Sequence, residues 1–232
     1  MKALDITKHK THLTNILLDI YKNSTLSPIL GFKGGTAAML FYKLPRFSVD
    51  LDFDLLSQSD GVGDQMTQLL SAKYDIKDYS TKFNTLFWVV SYGLGLAHIK
   101  VEISTRDNPY NHYGLLPFYG VTVKTMHIRD MIAHKLVASM ERKSIANRDL
   151  FDIHYFLSSS YATDINYDII RHRTGKQPKD FYKSLLEFVS NRDSKKILVG
   201  LGEVLTESQK DWAKAKLIGE LESLIKKTMH FL

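Results

Sequence analysis

No cysteine occurs in the 232 residues, which excludes disulfides and thiolate metal sites and leaves the compartment open on that count. No uncharged apolar run approaches the length of a membrane-spanning helix, and the N-terminus has no signal-peptide apolar region. A cytoplasmic protein with no membrane partner is the expectation. Internal repeats, low-complexity tracts and obvious linkers are also lacking. Two G-x-G pairs, Gly61-Val-Gly63 and Gly93-Leu-Gly95, lack the third glycine of a dinucleotide fingerprint and read as loops. His127, His134 and His154 fit no standard zinc spacing, and the aromatics form no ribonucleoprotein-type stacking motif.

With five prolines, 24% charged and 44% hydrophobic residues, the chain has the composition of an ordinary globular protein, long enough for one large or two small domains. A formal net charge of +6 favours a polyanionic partner. The basic cluster Arg171-His172-Arg173 either touches phosphate or is a solvated face.

The richest stretch is FKGGTAAMLFYKLPRFSVDLDFDLL. A glycine turn, Gly34-Gly35, lets backbone N–H groups approach phosphate closely, and the run from Thr36 reads as a helix start, which attracts anions. The following strand, expected over Val49–Leu56, alternates. Ser48, Asp50, Asp52 and Asp54 share one face, and Val49, Leu51, Phe53 and Leu55 the other. Carboxylates two apart on a strand can converge on a pair of divalent ions of the kind used in phosphoryl displacement. Each element alone has a plain structural reading, a turn and a solvated strand face; their ordered combination is the specific signal.

A second strand, Ile99–Ser104, repeats this logic: Ile99, Val101 and Ile103 form one face, leaving Glu102 on the other. Glu102 is either a third carboxylate or a solvated edge residue. Further strands are expected around Tyr74–Tyr79, Leu86–Tyr92 and Val121–Thr125, and helices over Ile6–Lys22, Thr36–Tyr42 and Asp64–Lys73. Beyond residue 126 the pattern turns helical, over His127–Lys143, Asn147–Ser158, Pro178–Val189 and Gln209–Met229. The fold class is therefore α+β: an α/β half with a mixed sheet over residues 1–126, followed by a helical region over 127–232 packed on it.

Within the helix His127–Lys143, Lys135 falls inside the apolar arc. It either snorkels to the surface or serves a site. In Asn147-Arg148-Asp149-Leu-Phe-Asp152 the two acids share one helix face. Asn147 is a plausible N-cap, and first-turn acids are also favoured by the helix dipole alone. Arg46 either holds phosphate oxygens bidentately or orients an aspartate, and Ser48 can donate to a phosphate.

Taken together, Lys33-Gly34-Gly35-Thr36, Arg46-x-Ser48-x-Asp50-x-Asp52, His98-Ile-Lys-Val-Glu102, Met131-Ile-Ala-His-Lys135 and Asn147-Arg148-Asp149-Leu-Phe-Asp152 resemble the AbiEii/MenT nucleotidyltransferase toxins. These belong to the DNA polymerase β-like nucleotidyltransferase superfamily and to type IV toxin–antitoxin systems. The resemblance covers about residues 30–157. It implies a polymerase β-like catalytic fold and an NTP-dependent nucleotidyltransferase releasing pyrophosphate, with RNA, notably a tRNA 3′ end, as acceptor. Growth arrest and a cognate antitoxin protein follow from the same likeness. It further implies Asp50, Asp52, Glu102, Lys135 and Asp149 as catalytic residues, and Asp50, Asp52 and Glu102 as ligands of Mg²⁺, with Mn²⁺ as the alternative. Lys33, Gly34, Gly35, Thr36, Arg46 and Ser48 would bind the nucleotide. Glu102 stands where the superfamily often has Asp. Two further readings stay open: the same chemistry on a protein or small-molecule acceptor, and a catalytically silent binding module.

Overall fold

The structure is a computed structural model that describes residues 5–141 and 147–232. The chain divides into two compact units. One comprises the chain up to Lys43 with Phe47–His127, the other Leu44–Arg46 with Ile128–Leu232.

The first unit opens with helix α1, Ile6–Lys22, capped by the Asp5 side chain accepting from the Lys8 N–H. Its buried face is His9, Leu13, Ile16, Leu17 and Ile20, the three-four spacing of a helix lying on a core. Strand β1 (Leu30–Lys33) leads directly into α2 (Gly34–Phe41), followed by β2 (Leu51–Leu55) and α3 (Val62–Ser71). Strands β3 (Asp75–Lys82), β4 (Thr85–Ser91), β5 (His98–Ser104), β6 (Tyr113–Phe118) and β7 (Val121–Met126) complete a mixed seven-stranded sheet of order β3-β4-β5-β2-β1-β7-β6. Two pairings are parallel, β1 with β7 and β2 with β5. Leu51 and Phe53 are fully buried, so the alternation of β2 forces Asp52 and Asp54 onto the opposite face.

The second unit is helical: α4 (Ile128–Glu141), α5 (Asn147–Ser158), α6 (Tyr167–Thr174), α7 (Pro178–Ser190) and α8 (Glu207–His230). Helix α8 buries Ala213, Leu217, Leu221 and Ile225, a strict four-residue stripe, against α5 and α7. Its start is set by a capping box in which Thr206 and Gln209 bond each other's backbone. Asn166 caps α6 and also donates to the buried Asp130 of α4 at 2.6 Å, tying these two helices. Among the described residues no helix is long and apolar enough to cross a membrane.

Among the described strands and α-helices, three escape the sequence pattern. Strand β1 has only four residues, too few to show a period. Strand β6 contains Gly114 and Pro117, which read as turn residues; proline is tolerated because β6 is the sheet's edge and pairs only with β7. Helix α6 is a polar eight-residue segment. The acidic strand is also shorter than expected: Phe47–Asp50 make no ladder. The end of the helix expected over His127–Lys143 falls at residues 142 and 143, outside the described residues.

Gly31 on β1 lies under Tyr113, whose ring Cε1 would be 2.3 Å from a Cβ added there. Gly31→Ala is expected to lower stability by about 1–3 kcal/mol through overpacking. Thermal melting of the purified variant checks this; an unchanged midpoint would show that the Tyr113 ring yields freely.

Candidate active site

In the first unit the turn from β1 into α2 closes on β2. Gly34 has φ 80°, a left-handed conformation that favours glycine, and a Cβ there would lie 2.2 Å from Asp52 Oδ2. The glycine turn therefore rests against the Asp52 carboxylate. Lys33, at the N-cap of α2, has no side-chain acceptor and makes no side-chain capping bond, so the N-cap residue itself does not close the helix start.

Across the sheet, Lys33 pairs in register with Asp52, and Asp52 with Glu102 on the parallel neighbour β5. Residues paired in this way carry side chains on one face, with neighbouring strands about 4.8 Å apart. Both Asp52 and Glu102 are half-buried. Asp50 lies two residues ahead, outside the ladder, where its Oδ1 accepts from the Lys100 N–H at 3.3 Å. Thr36 is fully buried and its hydroxyl donates to the Asp50 carbonyl. Ser48, also buried, sits in the same irregular segment.

Asp50, Asp52 and Glu102 do not form a ready-made cage: among the described residues no three acidic or imidazole side chains gather closely enough to hold a metal ion. The donor set still suits Mg²⁺, which takes one or two carboxylates and fills its octahedron with water and substrate phosphate. Two carboxylates side by side on a strand pair meet that requirement.

Asp54 continues the acidic face but is buried and saturated. It accepts from Lys33 Nζ at 2.6 Å, from the Tyr113 hydroxyl at 2.6 Å and from Asn111 Nδ2 at 3.4 Å. Lys33, expected to bind nucleotide, is thus engaged with Asp54. Tyr113 and Asn111 were not legible as part of this network, because nothing local marks a tyrosine that crosses a glycine to reach an acid 59 positions away.

The remaining site residues come together in the second unit. Lys135 Nζ lies 2.8 Å from Asp149 Oδ1 and 2.9 Å from Asp152 Oδ2. Arg46 grips Asp152 bidentately, Nε to Oδ1 at 2.5 Å and Nη2 to Oδ2 at 2.7 Å. Both acids and Arg46 are buried, and 15% of the Lys135 side chain is exposed. Two cations and two carboxylates balance, as burial requires. Lys135 therefore neither sits alone in an apolar arc nor snorkels; it is held by two acids. Of the two readings of Arg46, the one seen here is the ion pair that orients an aspartate, its Nε and Nη2 both turned to Asp152. Asp152, the second acid of that helix face, is the hub.

Burial pushes the Asp152 carboxyl up, but Lys135 and Arg46 outweigh it and hold it below the usual carboxylate range. Burial likewise pulls Lys135 down, while Asp152 and Asp149 leave it above the ordinary lysine value. The sign of each follows by linkage. The depressed acid stabilises above about pH 3.9 and loses this as pH falls through its lower folded value; the raised lysine stabilises below about pH 10.4 and loses this as pH rises through its higher one. Asp152 and Lys135 thus both stay charged across the neutral range.

Asp152→Ala leaves two buried cations without their shared acceptor and is expected to cost about 3–5 kcal/mol, with Lys135→Met costing stability in the same direction. Denaturant unfolding at pH 7 measures both. A Lys135→Met protein as stable as wild type would mean the lysine is dispensable to the cluster.

Comparison with known proteins bears on what this arrangement is. In fold the chain is similar to a protein from H. pylori provisionally assigned as a nucleotidyltransferase, with TM-score 0.64 at 23% identity over 97% of this chain and 95% of that one. It is also similar to JHP933 from Helicobacter pylori, with TM-score 0.58 at 22% identity over 99% and 97% of the two chains. At such identities the likeness shows the fold alone. No match is found among curated proteins. The profile of the family described as nucleotidyl transferase AbiEii toxin, type IV TA system, matches residues 15–218, most of the chain, so the protein belongs to the AbiEii nucleotidyltransferase toxin family.

Proposed function

We propose that this enzyme transfers a nucleoside monophosphate from an NTP to an RNA hydroxyl, the 3′ end of a tRNA, in a metal-dependent reaction that stops translation and growth. The observation that carries the reading is the glycine turn resting on Asp52 with Glu102 paired beside it. The opening N–H groups of α2 would receive triphosphate oxygens, since a helix N-terminus carries partial positive charge. Asp50, Asp52 and Glu102 would hold Mg²⁺ together with those oxygens. The ion, when bound, supplies Lewis-acid charge to the reacting phosphate. The acceptor oxygen bonds to the α-phosphorus, the α–β phosphoanhydride bond breaks, pyrophosphate leaves, and the acceptor proton passes to a carboxylate oxygen of the acidic face.

Lys135 and Asp149 enter the proposed catalytic set through the family resemblance, and the pairing that keeps Lys135 ionised supports it. The net charge of +6, most of it in the second unit, favours a polyanionic acceptor. Membership in a type IV toxin–antitoxin family implies a cognate antitoxin partner.

Incubation with each α-labelled NTP, Mg²⁺ and total RNA, followed by a denaturing gel, is expected to place label in the tRNA band, and chelation to abolish it. Asp52→Asn should remove several kcal/mol of transition-state stabilisation, orders of magnitude in rate, with the melting midpoint retained. Gly34→Ala should also lower transfer by displacing the Asp52 carboxylate, together with some loss of stability from its left-handed φ. Label in protein or in a small product would move the acceptor class, and no incorporation from any NTP would overturn the reading.

A further inference from the structure

Asp52 and Glu102 owe their positions to the sheet ladder, but Asp50 does not, because Phe47–Asp50 lie outside it. Two side chains take the ladder's place. His9 Nε2 meets the Val49 carbonyl at 2.9 Å, and the Thr36 hydroxyl donates to the Asp50 carbonyl. Each peptide unit is planar, so fixing the Val49 carbonyl fixes the plane that ends at Asp50 Cα, and fixing the Asp50 carbonyl fixes the plane that begins there. Asp50 is pinned from both sides.

His9 is built for this task. It is fully buried on the face of α1 that otherwise presents Leu13, Ile16, Leu17 and Ile20. Its Nδ1 lies 2.8 Å from the Tyr92 hydroxyl, just past β4. A carbonyl only accepts, so Nε2 carries the hydrogen, Nδ1 accepts, and Tyr92 donates. Phe47 and Tyr92 both set their rings edge-to-face with the imidazole, at 5.8 and 5.5 Å between centroids. Tyr92 is itself stacked against His12 at 4.5 Å. Burial pushes the His9 imidazole below its ordinary value, more than the Val49 carbonyl and Asp50 pull it back, which keeps the neutral tautomer that the geometry requires.

We propose that His9, locked by Tyr92, is a positioning residue that aims Asp50 for nucleotidyl transfer through its bond to the Val49 carbonyl. This rests on the reading that Asp50 acts in that transfer. A histidine that merely fills the core would be replaceable by any ring of similar size. A positioning histidine needs its donor, and a misplacement of about 1 Å can cost on the order of a hundredfold in rate.

The test compares His9→Phe, His9→Gln and Tyr92→Phe by single-turnover transfer, NTP KM and melting on the same preparations. His9→Phe keeps a ring without a donor and should lower the turnover rate by about ten- to a hundredfold, leaving NTP KM nearly unchanged. Glutamine carries its amide nitrogen as many bonds from Cβ as the imidazole Nε2, so His9→Gln should recover most of the loss. Tyr92→Phe, a milder change should His9→Phe fail to fold, should lower turnover with little effect on melting. Independently of activity, imidazole ¹⁵N spectra of the wild-type protein should show His9 as the Nε2–H tautomer. The proposal is overturned by wild-type turnover in His9→Phe, by His9→Gln as impaired as His9→Phe, by unchanged turnover in Tyr92→Phe, or by an Nδ1–H tautomer. Asp50→Asn is the separate control. Wild-type transfer there would remove Asp50 from the reaction, a failure of the functional reading seen in a different variant.

Discussion

A carboxylate taken out of water must meet an opposite charge or several donors, at a penalty of several kcal/mol if it does not. That constraint arranges the acids of this chain. Asp54 is buried and saturated by Lys33, Tyr113 and Asn111; Asp152 is buried and holds Arg46 and Lys135; Asp130 is buried and bonded by Asn166. Asp50, Asp52 and Glu102 are only half-buried. Along this sheet the acids are thus divided between Asp54, enclosed among its donors, and Asp50, Asp52 and Glu102, which keep a face toward solvent. Identical side-chain types, two positions apart on one strand, fall on opposite sides of that division because Tyr113 covers Asp54.

How much of this was legible follows from range. Helix α1 was readable to the residue because its apolar positions recur at three and four over Ile6–Lys22 and Asp5 precedes them as a cap. The acidic strand and its Glu102 counterpart were readable because alternation needs only five residues to show. What lay out of reach depended on partners distant in sequence. Arg46 and Asp152 are 106 residues apart, and no local pattern distinguishes an arginine that binds phosphate from one that grips a buried acid. His9 did leave a trace, a histidine at a position of the helical stripe where an apolar residue belongs. Such an exception inside a regular face marks a buried polar bond whose partner must be sought elsewhere.

The two units use charge in different ways. In the second, Lys135 and Arg46 are spent on Asp149 and Asp152, so the cluster is neutral as a whole and rigid in detail: a bidentate guanidinium fixes Asp152, and Asp152 fixes Lys135. A lysine held in this way keeps its proton and its position without needing a substrate to order it. In the first unit the opposite holds. The glycine turn excludes a side chain from the space beside Asp52, and the N-cap residue of α2 makes no side-chain capping bond. The cluster of the second unit is pre-assembled by ion pairs, whereas the turn of the first leaves room for a charged ligand.

Within the first unit, the acids differ in how firmly they are placed. Asp52 and Glu102 sit in a continuous ladder flanked by the fully buried Leu51, Phe53, Val101 and Ile103, so moving either means disturbing the sheet. Asp50 is aimed by single side-chain hydrogen bonds, each worth about 0.5–1.5 kcal/mol net. That is a small part of the stability of a domain, yet comparable to the energy that separates a well-placed carboxylate from a loosely placed one. Asp50 can therefore lose its aim while the fold stays intact. The sheet still meets its carboxylate through the Lys100 N–H, but its backbone is placed by His9, Tyr92 and Thr36 rather than by the ladder.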